Sequence, residues 1–241
     1  MAAPVDYPST ASFSPTPRFL AVLSTFASMH ATDPAGHAAD YHATLEAYVR
    51  KLSLRSTDER LQQGPGEALL LAANCQHIRR WERPRGDYAE GLSGYKMWRT
   101  ALNRFHADIA QEVMLQSGYS AEEDQVLLQR VRDLLLKKTL ARPPLPPVAE
   151  LKDPEAHLFE DAICLTFLRL EFVKFSEPYL AAPTSPETAS PHVNPSKLGG
   201  IVAKTWAKVS SNGREVAVEE LVPILPEELK TVVVESSATS R

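Results

Sequence analysis

The sequence predicts an all-α protein, a single-domain bundle of seven or eight helices, on three observations. Apolar residues recur at spacings of three and four along most of the chain. Helix-opening signals stand just before several of those runs: Thr16-Pro17, Asp153-Pro154, and Ser120 with Glu123 three positions on. Period-two alternation is missing apart from a brief strand-like Val232 to Val234. With 241 residues, 44% of them hydrophobic, the chain can bury one sizeable core.

The elements follow in order. Residues 1–15, rich in Ser, Thr, Pro and Ala, read as a disordered tail, and the domain runs over 16–225. Helix one carries Phe19, Leu20, Leu23 and Phe26, and helix two, after Asp33-Pro34, carries Tyr41, Leu45, Tyr48, Val49 and Leu52. The third, opened by Pro65, contains ALLLAANCQHI, apolar nearly all round, which marks the central buried helix. Arg83 to Ser93, with Pro84, Gly86 and Gly91, cannot continue it. A long helix then runs from Gly94 through Trp98, Leu102, Phe105, Ile109 and Val113, and Gly118 closes it.

The Ser120/Glu123 capping box starts the next helix, whose last turn holds Lys137 and Lys138 against the dipole. Arg142 to Val148 is a stiff connector. Pro154 begins a helix with Leu158, Leu165, Leu168 and Phe172 in its stripe. Residues 183–196 read as a flexible loop, and Ser196 caps a helix through Trp206 and Val209. A short helical stretch from Val216 to Leu225 precedes a tail over 226–241.

Composition excludes several function classes. A net charge of −4 argues against bulk electrostatic nucleic-acid binding, so any polyanion site must be local. Charge interrupts every long apolar run, so no membrane span is expected. The N-terminus has no basic segment leading into an apolar block, which points to a cytoplasmic protein, and Cys75 and Cys164 read as buried thiols.

Ala72 to Arg104 stands apart, with six arginines, a lysine, two tryptophans and two tyrosines around His77. Guanidinium groups grip phosphate with paired hydrogen bonds, and flat rings among them offer stacking surfaces. Arg79, Arg80, Arg83, Arg85, Lys96 and Arg99 are therefore candidate phosphate holders, with Trp81, Tyr95 and Trp98 as stacking partners. Glu82 could act as a general acid or base, or only orient the arginines. His42, His77, His106 and Asp161 each fall on or beside the apolar face of a different helix. A buried aspartate needs a cation or strong donors. A divalent metal ion would satisfy all four residues at once, whereas separately satisfied core side chains would need none.

The runs QHIRRWERPR, GLSGYKMWRTALNRFHADIAQEV, LFEDAICLTFLRLEF and KTWAKVSSNGRE resemble the domain-of-unknown-function 4202 family of bacterial and fungal proteins, over roughly Phe19 to Val218. That family's helical order is in turn similar to the HD-domain metal-dependent phosphohydrolases. The resemblance implies an HD-like fold in which His42, His77, His106 and Asp161 hold a divalent metal ion. Gln76-His77 departs from the His-Asp dyad of that pattern, leaving one anionic ligand out. The function implied is a phosphohydrolase acting on a nucleotide or another small phosphorylated metabolite. The rival is a non-catalytic nucleotide- or RNA-binding module built on the Arg/aromatic pocket.

Overall fold

A computed structural model describes residues 13–180 and 195–238, and every regular element among them is helical. Of the loop expected over 183–196 and the tail expected over 1–15, residues 183–194 and 1–12 lie outside the described residues; Pro195 and Ser196 belong to a helix that begins at Pro195, so Ser196 lies inside it and does not cap it. The ten α-helices are α1 (Pro17–His30), α2 (Ala38–Arg55), α3 (Glu67–Cys75), α4 (Gly91–Gln116), α5 (Gln125–Leu136), α6 (Pro154–Leu170), α7 (Phe172–Leu180), α8 (Pro195–Trp206), α9 (Ser211–Val216) and α10 (Glu227–Ala238). They fall into two compact units, one ending at Thr139 and the other beginning at Leu140.

Unit 1 is organised around α3. All of its residues from Ala68 to Ala73, and Cys75, are buried, and α1, α2, α4 and α5 all pack on it. A nine-residue helix with apolar side chains on every side is stable only when surrounded. Phe26, Leu45, Leu52, Met114 and Leu134 complete this core. The Thr16 side chain accepts the Phe19 N–H and so opens α1. The helix α2 is started from a distance, because the Asp33 carboxylate accepts the N–H groups of His37 and Ala38.

The opening of α5 differs from expectation. Ser120 Oγ accepts the N–H groups of Glu122 and Glu123, but Asp124, not Glu123, reaches back to the Ser120 N–H at 2.8 Å. Asp124 also takes both terminal nitrogens of Arg18 at 2.8 Å. The acid one position later wins because it can join α1 to the same turn.

Unit 2 is built on α6, against which α7 and α9 pack. Asp153 accepts the Ala156 N–H ahead of Pro154, the expected start. The stripe does not continue through Phe172, because the helix breaks at Glu171 and resumes as α7. The expected C-terminal tail is instead α10, which buries Leu229 and Val233 and packs against α8. Val232 to Val234 are thus helical, not a strand. Burial of one face overrides the β preference of three consecutive valines. Short added helices of this kind bring the number of α-helices among the described residues to ten. Each unit holds one buried cysteine, Cys75 on α3 and Cys164 on α6, and neither forms a disulfide.

Asp124→Ala should lower stability in urea titration by about 1 kcal/mol or more, the usual worth of a helix cap, while Glu123→Ala should change it by less than about 0.5 kcal/mol.

Candidate functional site

The chain leaves α3 at Cys75 and turns through Gln76 to Arg79, whose φ of 51° is left-handed. That conformation costs a residue with a Cβ about 1 kcal/mol or more. Glu82 holds it, taking Arg79 Nε at 2.6 Å and Nη2 at 2.8 Å. Glu82 therefore orients an arginine, one of the two roles the sequence left open. Three-residue 3-10 turns at Arg80–Glu82 and Arg85–Asp87 then lead into α4.

This loop is clamped onto α4. Arg85 donates to the carbonyls of Tyr88 at 2.8 Å, Ala89 at 2.9 Å and Gly91 at 3.4 Å. The Trp98 indole N–H donates to Arg83 O at 2.8 Å. At Gly94 a Cβ would stand 1.8 Å from Ala89 O, so only glycine lets the loop lie so close to the helix. Arg79 and Arg85 are thus engaged within the loop itself. Lys96 is exposed and Trp81 half-buried.

The remaining guanidinium groups lie over rings of α4. Arg80 sits 5.2 Å from the centre of Trp98, Arg83 5.0 Å from Phe105 and Arg99 5.9 Å from Tyr95. Tyr95 and Trp98 touch, with centres 5.9 Å apart. Among the described residues no carboxylate pairs with Arg80, Arg83, Lys96 or Arg99.

Behind Arg80 lies a file of imidazoles. Arg80 Nη1 is 3.1 Å from His77 Nε2, and the His77 ring lies 5.8 Å from that of His106 and stacks on Tyr41. The His77 N–H points at His42 Nε2 at 3.4 Å, and His42 stacks on His30 with centres 3.8 Å apart. Partners assign the protons: a carbonyl only accepts, so His42 donates from Nδ1 to Ala38 O and His30 from Nε2 to Asn74 O. A guanidinium only donates, so Nε2 of His77 is bare. Nε2 of His106 is buried without a partner.

Burial keeps these rings uncharged. It holds His42 and His106 down at about 3, with the neighbouring His30 acting on the first and Arg80 on the second. His77 is lowered by burial and then by Arg80, and His30 by burial. Neutral imidazole is the form that ligates metal. Of the three candidate ligands in this unit, however, only His106 has a ring nitrogen known to be unengaged. Among the described residues no group of three or more His, Cys, Asp or Glu side chains is arranged to hold a metal ion.

Asp161, the fourth candidate ligand, lies in unit 2 with both oxygens engaged. Oδ1 accepts the Ser210 N–H at 2.8 Å and Oδ2 the Ser210 hydroxyl at 2.5 Å, while Ser210 Oγ accepts the Gly213 N–H. The carboxylate thus anchors the start of α9. Burial raises it to about 7, against the lowering effect of the Ser210 donors. A Cβ at Gly213 would meet Asp161 Cγ at 2.7 Å, so the carboxyl is fitted against that backbone. An apolar cleft in the same unit, lined by Phe167, Phe172, Ile201, Trp206 and Val233 among others, contains no charged group.

Sequence reasoning missed His30, Tyr41 and Gly94. His30 was within reach, since it follows Phe26 by four and Val22 by eight on the buried stripe of α1. Tyr41 was noted only as core, although its hydroxyl donates to Gln76 Oε1. Gly94 carried no signal, because the carbonyl it faces is brought there by the loop.

The family model for a domain of unknown function, DUF4202, matches residues 20–233. No curated protein and no solved structure matches the chain.

The imidazoles and Asp161 should respond to acid in opposite directions. Folded values below about 6.5 mean that the unfolded chain gains protons that folded unit 1 refuses, so the contribution is full above 6.5 and is lost as pH falls towards 3. At pH 5, His42 and His106 should each remove about 2 kcal/mol. The folded value of Asp161 is raised, so its contribution grows as pH falls through 7. Hydrogen exchange, corrected for intrinsic rate, should therefore loosen α2 and α3 at pH 5 relative to pH 7.5 while α6 and α9 tighten.

Proposed function

The chain belongs to the DUF4202 family, and we propose from its own geometry that unit 1 binds a phosphorylated small molecule of the nucleotide class. The observation that carries this reading is Arg80. Its half-buried guanidinium rests between Trp98 and a neutral His77, with no carboxylate beside it among the described residues. A cation withdrawn from water without a counter-charge is costly, and an anionic ligand relieves that cost. Arginine offers a phosphate two donors at once. The Tyr95 ring, exposed at 41%, adds a face on which a base can stack.

One observation favours a second, catalytic version, an HD-like metal-dependent phosphohydrolase. Nε2 of His106 is a buried polar atom without a partner, in a file of imidazoles kept neutral. In that version His42 and His77 would give up the contacts of their Nε2 atoms with the His77 backbone N–H and with Arg80 to join His106 in holding a divalent ion, which would supply an activated water, and the freed Arg80 would bind the phosphate. Glu82, paired to Arg79, serves as an orienting group in both versions.

Isothermal titration of the full chain with AMP, before and after chelation, tests both. Binding that survives chelator and is weakened about tenfold or more by Arg80→Ser supports the binding module. Stoichiometric metal in the purified protein, with phosphate release abolished by His106→Ala, supports the hydrolase. Loss of neither binding nor release in Arg80→Ser would overturn the site.

A further inference from the structure

Charge and spacing at this site specify the ligand further. From Arg79 to Arg104 the chain has seven cations against three carboxylates, a net of +4 in a chain whose total is −4. Two of the seven, Arg79 and Arg85, are held within the loop by Glu82 and by three carbonyls. Arg80, Arg83 and Arg99 are not, and each lies over a different ring of the same helix. Tyr95, Trp98 and Phe105 are three and seven residues apart, so they share one flank of α4. Ten residues of helix separate the outer two, about 15 Å at the usual rise. One phosphate, only a few ångströms across, cannot engage guanidinium groups strung over that length.

The three groups also differ in depth. Arg80 and Arg99 are half-buried and Arg83 is exposed. Cation–ring contacts hold the three groups without neutralising them; Arg80 gives one nitrogen to His77 and Arg99 one to the Tyr95 hydroxyl, and their remaining donors and those of Arg83 stay available to an anionic group. A phosphate monoester brings at most two negative charges. The five cations that neither a carboxylate nor the loop's carbonyls engage among the described residues, Lys96 and Arg104 included, match a ligand with more.

We propose that the ligand of unit 1 carries a diphosphate or longer chain, with one phosphate at Arg80, the next reached by Arg99 one turn away along α4, and Arg83, two turns in the other direction, met by a longer chain. This rests on the reading of unit 1 as a phosphate site and deepens it. The class is a nucleoside diphosphate or triphosphate rather than a monophosphate or a lone phosphate ion.

The test is calorimetric titration of the full chain with inorganic phosphate, pyrophosphate, AMP and ADP at one fixed salt concentration. ADP should bind about tenfold or more tightly than AMP, and pyrophosphate likewise relative to phosphate, the worth of a further charge-assisted contact. In Arg83→Ser combined with Arg99→Ser the ADP-to-AMP and pyrophosphate-to-phosphate ratios should both fall to about threefold or less. Arg83→Lys and Arg99→Lys, which keep the charge and lose the fork, should give intermediate ratios. Equal affinities for ADP and AMP in the parent chain would overturn the proposal while leaving the phosphate site standing. Failure of all four probes to bind would overturn both. A short single-stranded RNA that binds while ADP does not would overturn the diphosphate in favour of a nucleic-acid partner.

Discussion

An imidazole can be buried at modest cost only as the neutral base, and unit 1 buries or half-buries four of them within reach of an arginine. Much else in that unit follows from this constraint. His30 and His42 stack face to face because uncharged they do not repel. Backbone carbonyls at Ala38 and Asn74 fix the protons of His42 and His30, which leaves the Nε2 lone pair of His42 facing the backbone N–H of His77, while the Nε2 lone pair of His77 faces Arg80. Arg80 reinforces the arrangement, since its fixed charge opposes any proton arriving at His77 or His106. The cluster and the cation are therefore mutually dependent, with aromatic faces on Tyr41 and Trp98 supplying the walls.

Unit 2 meets the same difficulty with a different group and a local answer. Asp161 is buried as deeply as the imidazoles, but the backbone N–H and hydroxyl of a single residue, Ser210, satisfy it, and Gly213 leaves room for it. The carboxylate, projecting from the middle of α6, organises the beginning of α9. A short helix such as α9 has little intrinsic stability, and this anchor fixes where it starts.

The helical class, the starts of α1 and α6 and the central place of α3 were legible in the sequence, because each is written in adjacent residues: a cap, a proline, a run apolar on all sides. The capping acid of α5 was misread by one position, since the choice between Glu123 and Asp124 depends on Arg18, over a hundred residues away in sequence. The C-terminal helix was missed because a run of valines reads as strand or tail until a neighbouring helix covers it. At the site, periodicity marked His42, His77 and His106 as inward-facing, and they do lie in one file. It could not reveal that Arg79 and Arg85 serve their own loop, because the carbonyls and the carboxylate they hold converge only after the chain has turned. Residue type announced a cationic pocket, but which cations remain available depended on the fold.

The two cysteines have a practical corollary. Cys75 has no exposed surface and its thiol is raised well above its ordinary value by burial, and Cys164 is also buried. Neither can meet an alkylating reagent while its helix is in place. Because the two units hold one thiol each, the rate of modification at each sulfur clocks the opening of its own unit, and mass spectrometry of the labelled peptides can time both in a single sample without any engineered probe.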